Sequence, residues 1–112
     1  MEDEILEKAA ELRDVILGSD EYTKFQICRE RLMKDEELYQ KVNEFREKNF
    51  ELQITGDSAN ANIVEHLAQQ YLPVLEKPIV NEFMKAELVL CRKLQEMYHL
   101  ITDDIDLDVT FL

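Results

Sequence analysis

The groups in this chain that could take up a proton, hold a metal or attack carbon are 25 carboxylates, two histidines and two cysteines. His66 and His99 fall on different helical stretches, and neither forms the HExxH pair that sets two imidazoles one turn apart on zinc. Cys28 and Cys91 stand outside any CxxC, so neither a disulfide framework nor a zinc site is signalled, and both read as buried free thiols. Asp104, Asp106 and Asp108 imitate the opening of a calcium-binding loop. That loop needs Gly at its sixth position and an acid at its twelfth, whereas Val109 holds the sixth and the chain stops before the twelfth, so calcium is rejected. Gly18 and Gly56 each stand alone, so no Gly-rich segment offers its amides to a phosphate.

Among the carboxylates Glu87 is singled out by position. It fills the gap between Phe83 and Leu90 in an apolar helical stripe of Val80, Phe83, Leu90, Leu94, Met97 and Ile101, flanked by Met84, Leu88, Cys91 and Tyr98. A charge in that place needs a partner or a raised pKa, and by residue type Arg46 or Arg92 would pair with it. The catalytic alternative is an uncharacterised enzyme with its site near Glu87 and His66.

The elements that must carry these residues follow from pattern. The expected fold is all-α: an antiparallel bundle of about five helices in one domain, residues 1–112, with helices over 2–17, 20–33, 36–54, 59–72 and 78–102. Ser19 and Asp35 suit the caps of the second and third helices, and Asp57 or Ser58 that of the fourth. Gly18 and Gly56 mark helix ends, and Pro73 and Pro78 bracket a bend. Tyr22 and Phe25 lie on the buried side of the second helix. Leu38, Val42, Phe45, Asn49 and Leu52 follow heptad-like spacing on the third, with Phe50 beside them. Asn49 either fixes register on a helix seam or meets water at its edge. From 103 to 112 the period becomes two, with Ile105, Leu107, Val109 and Phe111 apolar, which suits an extended tail. Such an edge must lie on the chain's own bundle, on a dimer mate or on another protein.

The balance of charge limits the partners. Thirteen Lys and Arg against 25 Asp and Glu give a net charge of -12, which repels phosphate backbones and anionic membranes, so neither nucleic acid nor membrane is an expected partner. MEDEILEK lacks the basic and apolar regions of a signal peptide, and no apolar run approaches the roughly 18 residues of a membrane span, so a cytoplasmic protein is expected.

A resemblance adds to these readings. The segment SDEYTKFQICRERLMKDEELYQKVNEFREKNFELQ, a later Tyr-Leu-Pro, then NEFMKAELVLCRKLQEM and the final IDLDVTFL resemble the YlbF/YmcA family of small bacterial helical proteins. Ser19, Glu21, Tyr22 and Phe25 resemble the family's S-x-E-Y-x-x-[YF] motif. Asp35, Leu38, Val42, Phe45 and Arg46 resemble its central helix, and Phe83, Ala86, Glu87 and Leu90 its last one. The resemblance implies a self-associating bundle, expected here as a dimer, with a regulatory, non-enzymatic role through protein partners that include homologous family members. It implies modulation of an endoribonuclease complex in mRNA turnover, and roles in competence, sporulation or biofilm development. It also brings an iron–sulfur cluster into view, but four ligands exceed what Cys28 and Cys91 supply in one chain and only a site shared between subunits could provide them, so no cofactor is expected. Interaction or structural roles fall to Tyr22, Phe25, Phe45, Arg46, Asn49, Phe50, Phe83, Glu87, Leu90, Leu107 and Phe111. The alternative is a purely self-associating structural protein.

Overall fold

The computed structural model describes residues 3–106, and every regular element among them is helical. The helices are α1 (Glu4–Leu17), α2 (Asp20–Met33), α3 (Glu36–Thr55), α4 (Ala61–Gln70), α5 (Leu72–Leu75) and α6 (Pro78–Thr102), with a 3-10 turn at Asp57–Ala59. The chain is therefore all-α with a long C-terminal helix, and the described residues hold six α-helices where about five were expected. Leu107 and Phe111, and with them most of the expected tail, lie outside the described residues.

Short polar side chains begin the helices. The Asp3 carboxylate accepts from the amides of Ile5 and Leu6 at 3.0 and 3.4 Å. Ser19 Oγ accepts from the Tyr22 amide at 3.2 Å, and Asp35 Oδ1 accepts from that of Leu38 at 3.1 Å. Each bond satisfies an amide that the first helical turn leaves without a partner.

The fourth helix departs from its expected form at both ends. Asn60 caps it, accepting from the amides of Asn62 and Ile63 at 3.0 and 3.4 Å. Asp57 instead accepts from the Thr55 hydroxyl at 3.1 Å and opens the 3-10 turn. Gly56, at φ 82°, ends α3 in the left-handed region that L side chains avoid. At the far end α4 stops at Gln70, and Leu72–Leu75 form a separate short helix. Pro73 falls in the first turn of α5, where proline's missing N–H and fixed φ fit the helix, and the bend expected between Pro73 and Pro78 follows that short helix, at Glu76 and Lys77. Pro78 opens α6 for the same reason.

By contact the chain forms two compact units, Met1–Phe25 with Lys85–Leu112, and Gln26–Met84. In Gln26–Met84, α3 lies against α4 and α5. Leu32, Val42, Val80 and Phe83 have no exposed surface there, and Cys28, Leu38, Leu67 and Tyr71 are also buried. In the other unit Ala86 and Leu90 are buried, while α1 has no buried residue at all. No helix among the described residues is long and apolar enough to cross a membrane.

Candidate functional site

The anticipated residues divide into interior and surface groups. In Gln26–Met84, Phe45 is half-buried with its ring 5.5 Å from that of Tyr71. The Arg46 guanidinium sits 5.3 Å from the centre of the wholly buried Phe83 ring and donates to Asn43 Oδ1 at 3.0 Å. An arginine over an aromatic face gains both quadrupole attraction and apolar cover for its stem. These contacts tie α3 to Tyr71, just past the end of α4, and to Phe83 near the start of α6. Asn49 is half-buried, and Phe50 stands 60% exposed on the same helix.

The pattern did not flag Lys48 and Tyr71 as a pair. The Lys48 ammonium lies 5.2 Å from the Tyr71 ring centre. A side-chain hydrogen bond to Tyr71, then the charge of Tyr71, then Glu44 and Glu51, together raise its pKa above the ordinary 10.5, while desolvation opposes them. Lys48 and Tyr71 are 23 positions apart in sequence, with no shared periodicity to signal the contact.

Lys48 also lines a cleft of about 370 Å³ with Glu51, Thr55, Asp57, His66 and Gln70. This is where His66 falls. Every one of those side chains is exposed, so water already solvates the groups that a catalytic site would have to hold dry and pre-aimed. Glu87, the other half of the enzymatic alternative, is half-buried on α6 and belongs to the other unit.

That unit, Met1–Phe25 with Lys85–Leu112, has a concave surface lined mostly by apolar side chains. Tyr22 and Phe25 are half-buried on α2. The α6 stripe emerges here by degrees: Leu90 is buried, Leu94 and Met97 are half-buried, and Ile101 is 50% exposed with Leu100 beside it at 86%. On α1, Leu12 and Ile16 are half-buried and Ile5 is 79% exposed. Two cavities lie between these stripes. One, about 250 Å³, is lined by Leu12, Ile16, Leu90, Leu94 and Met97, with Lys93 and Glu21 paired at 3.8 Å among its lining residues. The second, about 480 Å³, lies between Ile5, Ala9, Leu12 and Ile101. Leu12 borders both, so they neighbour one another along the groove between α1 and α6. Leu88, Cys91 and Tyr98, expected to widen the buried stripe, are exposed because they lie to one side of this line.

Cys28 is buried and Cys91 is exposed, which corrects the expectation of two buried thiols. For an iron–sulfur cluster the donor set does not fit, since one of two sulfurs is enclosed in its own unit and four ligands are required. Among the described residues no group of three or more His, Cys, Asp and Glu is placed to hold a metal ion.

Comparison with known proteins places this arrangement. The family profile described as "Control of competence regulator ComK, YlbF/YmcA" matches residues 5–106. A UPF0342 protein of Caldicellulosiruptor bescii is 30% identical over 101 residues, covering 88% of this chain and 85% of that protein. A UPF0342 protein of Caldicellulosiruptor saccharolyticus is 29% identical, covering 88% and 85%. A third, from Desulfitobacterium hafniense, is 27% identical over 104 residues, covering 90% and 84%. No solved structure matches the chain. With the profile running from the first turn of α1 to just past the end of α6, the chain belongs to the YlbF/YmcA family.

Proposed function

We propose that the protein is a non-catalytic regulatory adaptor of the cytoplasm, which works by binding other proteins and pairs with itself as a dimer. The observation that carries this reading is α1: a helix of 14 residues with an apolar stripe and no buried residue, bordering a groove whose other wall is equally apolar. Exposed apolar surface of this extent is unfavourable in water and is the usual mark of a surface that another chain covers. Membership of a family whose description concerns control of a competence regulator supports a regulatory role. The partner we propose is an endoribonuclease complex acting in mRNA turnover, joined together with homologous family members, with effects on competence, sporulation or biofilm development.

The test is affinity capture of the full chain from native lysate, read by mass spectrometry, beside a variant with Ile5→Asp in the groove. The reading expects components of RNA decay with the parent chain and their loss from the variant. Recovery of the chain alone would favour a purely structural, self-associating protein and overturn the adaptor.

A further inference from the structure

The corner between α1 and α2 is built on one hydroxyl. Only Gly18 and Ser19 separate the two helices. Ser19 Oγ donates to the Ile16 carbonyl in the last turn of α1 at 2.6 Å, and it accepts from the Tyr22 amide in the first turn of α2 at 3.2 Å. The Ser19 amide also donates to the Ile16 carbonyl at 3.1 Å, and the Gly18 amide to that of Asp14 at 3.1 Å. One side chain therefore ends a helix, begins the next and is bonded to both, which restricts the angle between them.

That angle sets the width of the groove. Ser19 and Glu21 line the cavity of about 250 Å³, whose walls include Leu12 and Ile16 of α1 and Leu90, Leu94 and Met97 of α6. Glu21 reaches Lys93 of α6 at 3.8 Å, a partly exposed pair that adds a weak tie between α2 and α6. Apolar walls that face one another across a void forfeit dispersion contacts and stay wet, so narrowing the gap is favourable wherever α1 is free to turn. Burial does not hold α1 in place, since none of its residues is buried. The hydrogen-bonded corner is the restraint that stands against closure.

We infer that Ser19 is a brace holding α1 away from the C-terminal half of α6, and that α1 is an arm which closes the groove when the brace is released. This control of access rests on the adaptor reading for its purpose. Release needs no chemical step. The Ile16 carbonyl keeps the Ser19 amide as its partner, and water can replace the hydroxyl at the Tyr22 amide. Loss of one helix cap shifts an equilibrium about fivefold or more, which is the scale on which the arm is poised.

The experiment puts spin labels on the full chain at two cysteines: the native Cys91 on α6, and one made by Glu11→Cys, an exposed α1 position lining neither cavity. Cys28 is buried and shielded from the reagent. Double electron–electron resonance then reads the distance from arm to helix. Ser19→Ala removes both hydroxyl bonds and is expected to move the population to shorter distances, whereas Ser19→Thr, which keeps the hydroxyl, leaves it in place. Ser19→Gly also removes the hydroxyl but begins a helix nearly as well as serine, so it is expected to shorten the distance even if the alanine variant folds poorly. Asp35→Ala takes a comparable cap from α3 in the other unit and is expected to leave the distance unchanged. An unchanged or longer distance in Ser19→Gly overturns the inference, and so does an equal shift in Ser19→Thr or Asp35→Ala. Closure with undiminished capture of partners from native lysate overturns the control of access. A parent chain that captures nothing sinks the adaptor, while an unchanged distance beside normal capture sinks the brace alone.

Discussion

Gly56 and Gly18 end helices by different means, and a methyl group separates them. At φ 82° an added Cβ at Gly56 meets no atom within 4 Å but strains the backbone, so Gly56→Ala is expected to destabilise by about 1 kcal/mol in chemical denaturation. Gly18 has φ -93°, an ordinary value, and an added Cβ would meet the Asp14 and Val15 carbonyls at 3.5 and 4.0 Å, ordinary contact distances. Gly18→Ala is therefore expected to be neutral or to stabilise slightly, by narrowing the unfolded ensemble. Phe83 tests packing. With no exposed surface and the Arg46 guanidinium on its face, Phe83→Ala should cost about 3–5 kcal/mol in the same measurement. Both glycines were legible as helix ends, yet which needs the left-handed conformation depends on the turn that follows, and a residue's type does not report that.

Among the elements, spacing located the helices and misjudged what covers them. The stripe of α6 was visible from Val80 to Ile101, but periodicity records that a face is apolar, and it says nothing of whether a neighbour reaches it. Burial along that stripe consequently fades toward the C-terminus, and the stripe of α1 is never fully covered. Hydrogen exchange should show this as faster exchange in α1 and the last turns of α6 than in the α3 segment around Leu38 and Val42; equal protection would contradict it. The polar segment after α3 was legible as a loop, whereas its cap was not, because Asp57, Ser58 and Asn60 all qualify by type. The 3-10 turn selects Asn60, so Asn60→Ala is expected to cost about 1 kcal/mol, and Asp57→Ala less. The bend between Pro73 and Pro78 was legible and falls at Glu76 and Lys77, whereas the short helix that Pro73 opens was not, because proline's fit to a first turn does not say how many residues will follow it.

For the whole molecule, net charge and exposed apolar surface pull in opposite directions. A charge of -12 disperses copies of the chain, while Phe50 and Ile54, one turn apart on α3 and both exposed, invite contact in the less acidic unit. The proposed dimer is accordingly expected to use that α3 face: sedimentation at micromolar concentration should show dimers that strengthen with added salt and that Phe50→Asp converts to monomers. Persistence of the dimer in the variant would place self-association elsewhere. Fold class could be read from composition and spacing because both act locally, whereas the groove could not, since it exists only where α1 and α6 come together. The two thiols carry a practical consequence. Cys28 is enclosed and Cys91 lies open on α6, next to the groove residue Leu90. A maleimide dye applied to the native chain will therefore attach at one place, giving an optical probe beside the groove without any change to the gene.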